Sequence, residues 1–263
     1  MRPVVLFPYH DPEEVCQPHL ERIIPELKNL FAGAFLGVDL PTYKKQADFI
    51  DNLSKDPFFR ICFSQPGSTF GDHCLVACER AVMDCAQDQV LHFCFIDRLA
   101  YALQCEYRKE FIADIQKTAA ENSPLLFQRS YEAWQTHPSN YQAIERMAIL
   151  SSDLLLKRAL DLTWCHLALT IRQLESIVPL LKRRDLVMLG EMVLLLLDLL
   201  STKEVDWLAW EDPFILGRDP QELKVERENS IGETRKRLAY VIPTLALLYE
   251  KNGDTDQPPV IKI

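Results

Sequence analysis

The sequence predicts an α/β protein with a mostly parallel sheet flanked by helices and a helix-rich C-terminal part. Three observations predict it: β-branched and aromatic runs alternate with helical periodicity in the N-terminal half, turn residues end the runs, and 48% of residues are hydrophobic and 25% charged. The 263 residues suffice to bury one large core. We therefore expect a single domain over residues 1–252 and a flexible tail over residues 253–263, which are rich in Asp and Pro.

The first three predicted strands each end at polar or turn residues. Residues 4–7 form an apolar run that stops at Pro8, residues 34–38 end at Asp39, and residues 60–63 lead into the loop QPGSTFGD. Helical patterns follow the first two strands, in HLERIIPELKNLF and YKKQADFIDNLSK. This order predicts successive strand, loop and helix units.

A fourth unit contains the most buried of the predicted strands. Asp72 is a suitable N-cap for the helix HCLVACERAVMDCAQ, whose apolar residues recur at three- and four-residue steps. Residues 90–96 are almost continuously apolar, which is typical of a central strand covered on both faces. The run ends at Asp97 and Arg98, so we expect this polar pair at the carboxyl end of the strand.

The regular alternation weakens after residue 120. Residues 125–128 and the segment VDWLAW are predicted strands, RSYEAWQTHPSNY is predicted as a loop, and LTWCHLALT fits either a strand or a helix. Helical patterns occupy most of the remainder, in residues 141–160, 171–181, 185–200 and 221–250.

Charge and apolar patterning exclude several classes of protein. The formal net charge of −9 opposes binding to nucleic acid, since no excess of Lys and Arg can displace counterions from phosphates. The N-terminus lacks the long apolar core of a signal peptide. The most apolar stretch is broken by Glu191 and Asp198, whereas a membrane span needs about 20 mostly apolar residues. We therefore expect a cytoplasmic protein without a transmembrane segment.

The eight cysteines lie inside apolar segments, as expected for reduced core thiols. Cys74 and Cys78, with His73, have the helical spacing that a metal ion could use, but no CxxC pair completes a zinc site. Small core side chains are therefore the favoured interpretation.

Several polar loops are predicted to meet at one edge of the sheet. Alternating strands and helices imply parallel pairing, which gathers the carboxyl ends of the strands along one side. The loops at residues 9–11, 39, 65–71 and 97–98 should then share one crevice. Because ligands of open α/β sheets bind at this edge, the convergence predicts a binding site.

Three features of the sequence are candidates for chemistry. The loop QPGSTFGD could present backbone donors and hydroxyls to a diphosphate, although it matches neither the P-loop nor the GxGxxG pattern and a plain turn fits equally well. Asp97 either pairs with Arg98, faces water in the crevice or coordinates a ligand. Glu191 interrupts an apolar helix and is a candidate base. Alternatively, Glu191 and Asp198, which lie on roughly the same face of that helix, simply mark its solvated edge.

Other polar residues follow predicted loops and strands, and for each of them a structural role is the simpler interpretation. They are the pairs His10 with Asp11 and Thr136 with His137, and the group Trp207, Trp210, Glu211 and Asp212.

The order of these segments resembles the glycosyltransferase-A fold, a Rossmann-like fold of the nucleotide-diphospho-sugar transferase superfamily typified by family 2 enzymes. VVLFPYHDPE resembles the first strand and nucleotide loop, and LHFCFIDR resembles the strand that carries the D-x-D motif. WCHLALTIRQLESI is similar to the segment where a strand enters an arginine-bearing helix, and LGEMVLL to the acidic helix that often carries the base. FQRSYEAWQTHPSNYQAIE resembles a stretch of uncharacterised bacterial members. The resemblance covers residues 3–215.

The D-x-D motif is degenerate here, because the corresponding triplet is Phe95, Ile96 and Asp97. In the family, two carboxylates hold Mn²⁺ or Mg²⁺ against the sugar diphosphate, and a Phe side chain cannot ligate a hard cation. Any metal ion would depend on Asp97 with help from elsewhere. Otherwise Arg98 and Arg129 would have to neutralise the phosphates.

The resemblance implies a glycosyltransferase that transfers sugar from a nucleotide diphospho-sugar to an unidentified hydroxyl acceptor. Its catalytic residues would be Glu191, as the base, and Asp97, near the diphosphate. The donor-binding residues implied are Pro8, Tyr9, His10, Asp39, Gly67, Ser68, Gly71, Asp97, Arg98 and Arg129. The alternative is a catalytically inactive relative that acts as a binding or assembly protein. A phosphate-ester hydrolase is disfavoured because no GxSxG motif is present.

Overall fold

Seven strands of the described residues form one sheet. The computed structural model describes residues 2–118, 124–163 and 166–252. The strands are β1 (Val4–Tyr9), β2 (Ala34–Val38), β3 (Phe59–Phe63), β4 (Val90–Phe93), β5 (Leu125–Arg129), β6 (His166–Thr170) and β7 (Ser201–Val205). Their order is β3-β2-β1-β4-β6-β5-β7, and all neighbours are parallel except that β6 is antiparallel to β4 and β5. The predicted α/β class with a mostly parallel sheet is confirmed.

Helices connect the strands and form most of the C-terminal part. They are α1 (Gln17–Leu30), α2 (Leu40–Ser54), α3 (Phe70–Asp84), α4 (Ile96–Gln104), α5 (Arg108–Thr118), α6 (Tyr131–Thr136), α7 (Ser139–Leu156), α8 (Ile171–Ile177), α9 (Met188–Leu195), α10 (Asp212–Leu216), α11 (Pro220–Glu228) and α12 (Ile231–Asn252), with 3₁₀ turns at Val178–Leu180 and Asp206–Leu208. Helices α7 and α12 pack along each other.

Side-chain alternation along β1 divides the core between the two faces of the sheet. Val5 and Phe7 pack in one cluster with Leu20 of α1 and Phe111 of α5. Leu6 packs on the other face, in a cluster that includes Cys74 of α3 and Met192 of α9. The sheet is therefore buried on both faces, which explains why its central strands are almost continuously apolar.

Strand order reverses between β1 and β4, and there the two strands separate. Pairing of β1 with β4 ends at Leu6 and Phe93, whereas pairing with β2 continues to Tyr9 and Val38. Leu6 accepts a hydrogen bond from the Cys94 N–H. Backbone polar groups of residues two apart in a strand point to the same side, so the nitrogen of Pro8 points towards β4 as well, but beyond its end. A residue without an N–H group is tolerated there. This reversal point is where open α/β sheets bind ligands.

Several predicted boundaries differ from the structure. Strand β1 does not stop at Pro8 but runs through it to Tyr9, because Pro8 and Tyr9 continue the pairing with β2. Strand β4 ends at Phe93, and Asp97 lies in the first turn of α4, because Ile96, Leu99, Ala100 and Leu103 form the buried stripe of a helix. The final strand is Ser201–Val205, with the VDWLAW segment mostly beyond it. The segment RSYEAWQTHPSNY contains α6 and the start of α7 instead of a loop. The N-cap of α3 is Thr69, and Asp72 completes a capping box with it.

Two further expectations can be compared with the described residues. None of the helices in residues 2–118, 124–163 and 166–252 is both long and apolar enough to span a bilayer. The seven cysteines in these ranges are free thiols. The predicted tail, residues 253–263, and the Trp164–Cys165 part of the ambiguous LTWCHLALT segment lie outside the described residues.

Candidate functional site

Three adjoining cavities lie along the carboxyl edge of the sheet. The largest, here called the edge cavity, has about 400 Å³ and is lined by His10, Asp39, Leu40, Pro41, Gln65, Gly67, Ser68, Phe70 and His73. The helix cavity, of about 160 Å³, is lined by Phe95, Asp97, Arg98, Leu162, Thr163, Leu186, Leu189, Arg237, Tyr240 and Thr244. A side cavity of about 240 Å³ is lined by Thr69, Phe70, Asp185, Leu186, Val187, Lys236, Ala239 and Tyr240.

Shared residues join these cavities into one crevice. The ring of Phe70, in the wall of the edge cavity, lies 5.5 Å from the ring of Phe95 in the wall of the helix cavity, measured between centroids. Phe70 also lines the side cavity, which shares Leu186 and Tyr240 with the helix cavity. The structure therefore brings His10, Asp39, Gly67, Ser68, Asp97 and Arg98 to the walls of adjoining cavities, together called the crevice.

His10 and Asp39 form a polar pair in the wall of the edge cavity. The His10 Nδ1 atom lies 2.6 Å from the Asp39 carboxylate, which also accepts the Thr42 N–H at 3.2 Å and so caps α2. Burial raises the pKa of Asp39, but hydrogen bonds from Thr42 and His10 outweigh it and leave that pKa below its ordinary value. The side chain of His10 is 58% exposed, so its ring is open to a ligand.

Pro8 and Tyr9 support this wall from behind. Both are buried in β1, and the Tyr9 hydroxyl donates a 2.6 Å hydrogen bond to Gln46 in α2. Gln46 in turn donates to the Asp11 carboxylate, which accepts the N–H groups of residues 15–17 where α1 begins. Neither Pro8 nor Tyr9 lines the edge cavity, so this placement does not support their predicted role as ligand contacts. Tyr9 instead helps to fix the loop after β1 through Gln46.

Gly67 and Ser68 face the edge cavity, whereas Gly71 is committed elsewhere. Gly67 has φ of +81°, a conformation that favours glycine, and open space where a Cβ would be. The Gly71 N–H donates to the Arg184 carbonyl at 2.7 Å, and a Cβ at Gly71 would overlap the Arg184 main chain. The Thr69 hydroxyl donates to the same carbonyl. The loop is therefore anchored at its helix end and presents its tip to the cavity.

Asp97, Arg98 and Glu211 form a charged group at the helix cavity. The Asp97 carboxylate accepts the Arg98 N–H at 2.8 Å, and the Arg98 guanidinium lies 4.0 Å from Asp97 and 3.2 Å from Glu211. Burial raises the pKa of Glu211 to about 7; Arg98 opposes the shift, while Asp97 and Asp212 add to it. Desolvation also raises the pKa of Asp97, against the attraction of Arg98. The single guanidinium of Arg98 is therefore shared between the carboxylates of Asp97 and Glu211.

The residues around Asp97 do not fit a site for Mn²⁺ or Mg²⁺. Among the described residues that line the helix cavity, Asp97 is the one carboxylate, and hard cations require several oxygen ligands. The Arg98 guanidinium lies between Asp97 and Glu211 and repels a cation there, and Phe95 offers no ligand atom. We derive no step through a metal ion.

Arg129 lies behind the wall of the helix cavity and not in it. It is buried, makes two 2.8 Å hydrogen bonds to Asp161, pairs with Glu145 at 2.8 Å and stacks on Trp134. Glu145 also accepts the Tyr240 hydroxyl and lies 3.4 Å from Arg237. This placement does not support the prediction that Arg129 binds phosphate. Its charge is instead paired with Glu145 and Asp161.

Glu191 is buried in α9 and binds main chain. Its carboxylate accepts the N–H groups of Lys182 and Arg183, at 3.0 and 2.9 Å. These residues belong to the loop that anchors Gly71 through Arg184. Glu191 does not line the three cavities of the crevice, so its role as a base stays a prediction.

The structure adds Arg237 and Tyr240 to the lining of the site and places Glu211 behind it, against Arg98; the sequence prediction did not include these three residues. Arg237 and Tyr240 are three residues apart on α12, and both line the helix cavity. In the sequence they look like ordinary members of an amphipathic helix. The sequence shows Glu211 as one of two adjacent acids after Trp210. It does not show that Glu211 lies next to Arg98, because the two residues are far apart in the chain.

None of the protein families compared with the chain matches it, and no curated protein matches its sequence significantly. We therefore infer the function from the geometry of the crevice.

Proposed function

We propose that this protein binds a nucleotide diphospho-sugar in the crevice and transfers the sugar to a hydroxyl acceptor. The observation that carries the proposal is the contact of the edge and helix cavities at Phe70 and Phe95, beside the point where strand order reverses. An elongated ligand of two chemically different halves suits two joined cavities of different character.

The edge cavity suits the nucleoside half of this donor. Asp39 supplies a fixed acceptor for ribose hydroxyls or base N–H groups, and the exposed His10 ring supplies a surface for stacking. Gly67 and Ser68 bring a side-chain-free main chain and a hydroxyl to the same cavity. These groups offer hydrogen bonds and an aromatic surface but no net positive charge, which suits an uncharged nucleoside.

The helix cavity suits the diphosphate and sugar. A phosphate there would meet the guanidinium groups of Arg98 and Arg237 and the hydroxyls of Thr163 and Tyr240. Because the pKa of Glu211 is raised to about 7, a proton on this carboxyl near neutral pH leaves more of the Arg98 charge for the phosphate. Two arginines would then neutralise the leaving group in place of the metal ion that the degenerate D-x-D motif implies.

Transfer to a hydroxyl also requires a proton acceptor within hydrogen-bond reach. Asp97 lines the helix cavity, and desolvation raises its pKa against the attraction of Arg98, which favours proton acceptance. Glu191 uses its carboxylate for two main-chain N–H groups. Asp97 is therefore the better-placed acid, and the side cavity next to Tyr240 offers room for the acceptor.

A non-catalytic relative with the same crevice is the second candidate. The observation that favours it is Phe95 at the position of the first acid, with Asp97 already bonded to the Arg98 main chain. Such a protein would bind the nucleotide without hydrolysing or transferring the sugar.

A thermal-shift experiment tests the binding step. UDP, GDP and their sugars, each with and without manganese chloride, should include one that raises the melting temperature, since a ligand that binds only the native state stabilises it. Asp39→Asn should reduce this shift, because Asn still caps α2 but loses the charged partner of His10. Asp219→Asn is the matched control, an acidic N-cap at α11 outside the crevice.

The outcomes separate the candidates. The absence of a shift with every nucleotide would refute both. A shift without release of sugar to any acceptor would favour the non-catalytic relative. A shift that requires manganese would contradict neutralisation by arginine.

A further inference from the structure

Three ligand-type side chains lie together on one face of the sheet, outside the crevice. His92 and Cys94 are two residues apart in extended chain, so both side chains point to the same face. The antiparallel register pairs Phe93 with Leu167, which places the next residues, Cys94 and His166, opposite each other. Ligand atoms of the three residues all lie within 4.8 Å of one another, and His92 Nε2 is 3.2 Å from His166 Nδ1.

This cluster is buried and enclosed by aromatic rings. His92 is 1% exposed, and Cys94 and His166 are fully buried. Around the two imidazoles stand the rings of Phe31, Phe111, Phe127 and Trp207, with centroids 5.1 to 6.2 Å away. The Nδ1 atom of His92 is buried and has no hydrogen-bond partner among the described residues.

We propose that His92, Cys94 and His166 bind one Cu(I) ion that ties β4 to β6. Thiolate and imidazole are the ligands that soft ions prefer. Metal–nitrogen and metal–sulfur bonds of about 2.0 to 2.3 Å, as in related sites, put three ligands of a planar centre roughly 3.5 to 3.8 Å apart. The observed spacing needs only small side-chain adjustments to reach these values.

Charge selects Cu(I) over Zn²⁺. One thiolate and one monovalent cation sum to zero, which suits a buried site, whereas Zn²⁺ with the same ligands leaves a buried net positive charge. No acidic side chain belongs to the cluster to offset it. On binding, the Cys94 Sγ–H bond is replaced by an Sγ–Cu bond, the proton goes to solvent, and no electron is transferred.

The test adds Cu(I), supplied as its bicinchoninate complex under anaerobic reducing conditions, to the purified full chain. After removal of the chelator, bound copper and the melting temperature are measured for the wild type, Cys94→Ser and Cys78→Ser. Cys78 is the matched control, a fully buried cysteine on α3 outside the cluster. We expect one ion fewer and a smaller thermal shift in Cys94→Ser, with Cys78→Ser like the wild type.

X-ray absorption of the copper-loaded wild type gives a readout that needs no variant. We expect a shell of one sulfur and two nitrogens. A sulfur-only shell, equal copper content in the two variants, or no retained copper would overturn the proposal, the last outcome leaving a hydrogen-bonded histidine pair. Retention of added Zn²⁺ by the same shell would refute the charge argument. None of these results depends on nucleotide binding.

Discussion

Glu211→Gln should change how stability depends on pH. In the folded protein, burial raises the pKa of Glu211 to about 7 from an ordinary 4.5, despite Arg98 at 3.2 Å. The folded state therefore holds a proton that the unfolded state releases between pH 4.5 and 7. Because the folded state binds more protons in this window, stability falls as pH rises through it.

The size of the effect follows from the shift. A shift of one pKa unit corresponds to about 1.4 kcal/mol, so ionised Glu211 costs on the order of 3 kcal/mol above pH 7. Gln has nearly the same shape and no charge, which removes this cost. We expect the variant to gain stability relative to the wild type from pH 5 to pH 8, up to that amount, less whatever is lost with the Arg98 pair.

The assay is urea unfolding at pH 5, 6, 7 and 8, with exposed Glu13→Gln as the control. The difference between variant and wild type is the quantity to compare, since burial lowers the pKa of His92, His137 and His166 and gives the opposite slope below about pH 6.5. A difference that stays constant over this range would show that Glu211 does not titrate there, and the reasoning would fail.

Three further predictions concern other positions; the first two are measured by urea unfolding and the third by thermal shift. Arg129→Met should lower the free energy of unfolding by about 3 to 5 kcal/mol, because two buried carboxylates lose their partner, whereas Arg146→Met should change it little. Gly37→Ala should destabilise by several kcal/mol or prevent folding, since its Cβ would overlap the main chain of α3; wild-type stability would contradict this. Arg237→Leu should reduce the thermal shift by a nucleotide sugar, with the neighbouring, exposed Arg235→Leu as control; equal shifts would remove Arg237 from the site.

The parallel part of the sheet was predictable because its signals are local. Strands β2 and β3 end at the turn residues that the sequence shows, whereas β1 continues through Pro8 to Tyr9. Parallel pairing then forces the loops at His10, Asp39 and Gly67 to the same edge. Asp97 was placed at the right edge but in the wrong element, since an apolar run does not show where a strand stops and a helix starts.

The charged groups were less predictable because their partners are distant in sequence. Arg129 has the charge that a phosphate site needs, but Glu145 and Asp161 lie 16 and 32 residues further on and occupy it. Arg237 and Tyr240 reach the helix cavity only because α12 packs along α7. Pattern and spacing report which face a side chain occupies within its own element, and they do not report which remote element covers that face.

Glu191 offers a way to separate an anchoring role from a catalytic one. Its carboxylate accepts the N–H groups of Lys182 and Arg183, and the next residue, Arg184, accepts the N–H of Gly71. Through this chain of contacts Glu191 positions the loop whose tip faces the edge cavity. A glutamine carbonyl can accept the same two N–H groups but cannot take a proton from a hydroxyl.

If Glu191 is an anchor, Glu191→Gln should keep nucleotide binding and transfer, and Glu191→Ala should lose stability and bind nucleotide more weakly. If it is the base, both variants should bind nucleotide while transfer falls by roughly 100-fold or more. Thermal shifts with UDP and GDP measure the first effect, and sugar release measures the second. The contacts favour the anchor, because one oxygen of this buried carboxylate accepts both main-chain N–H groups and Glu191 lines none of the three cavities in which a substrate would lie.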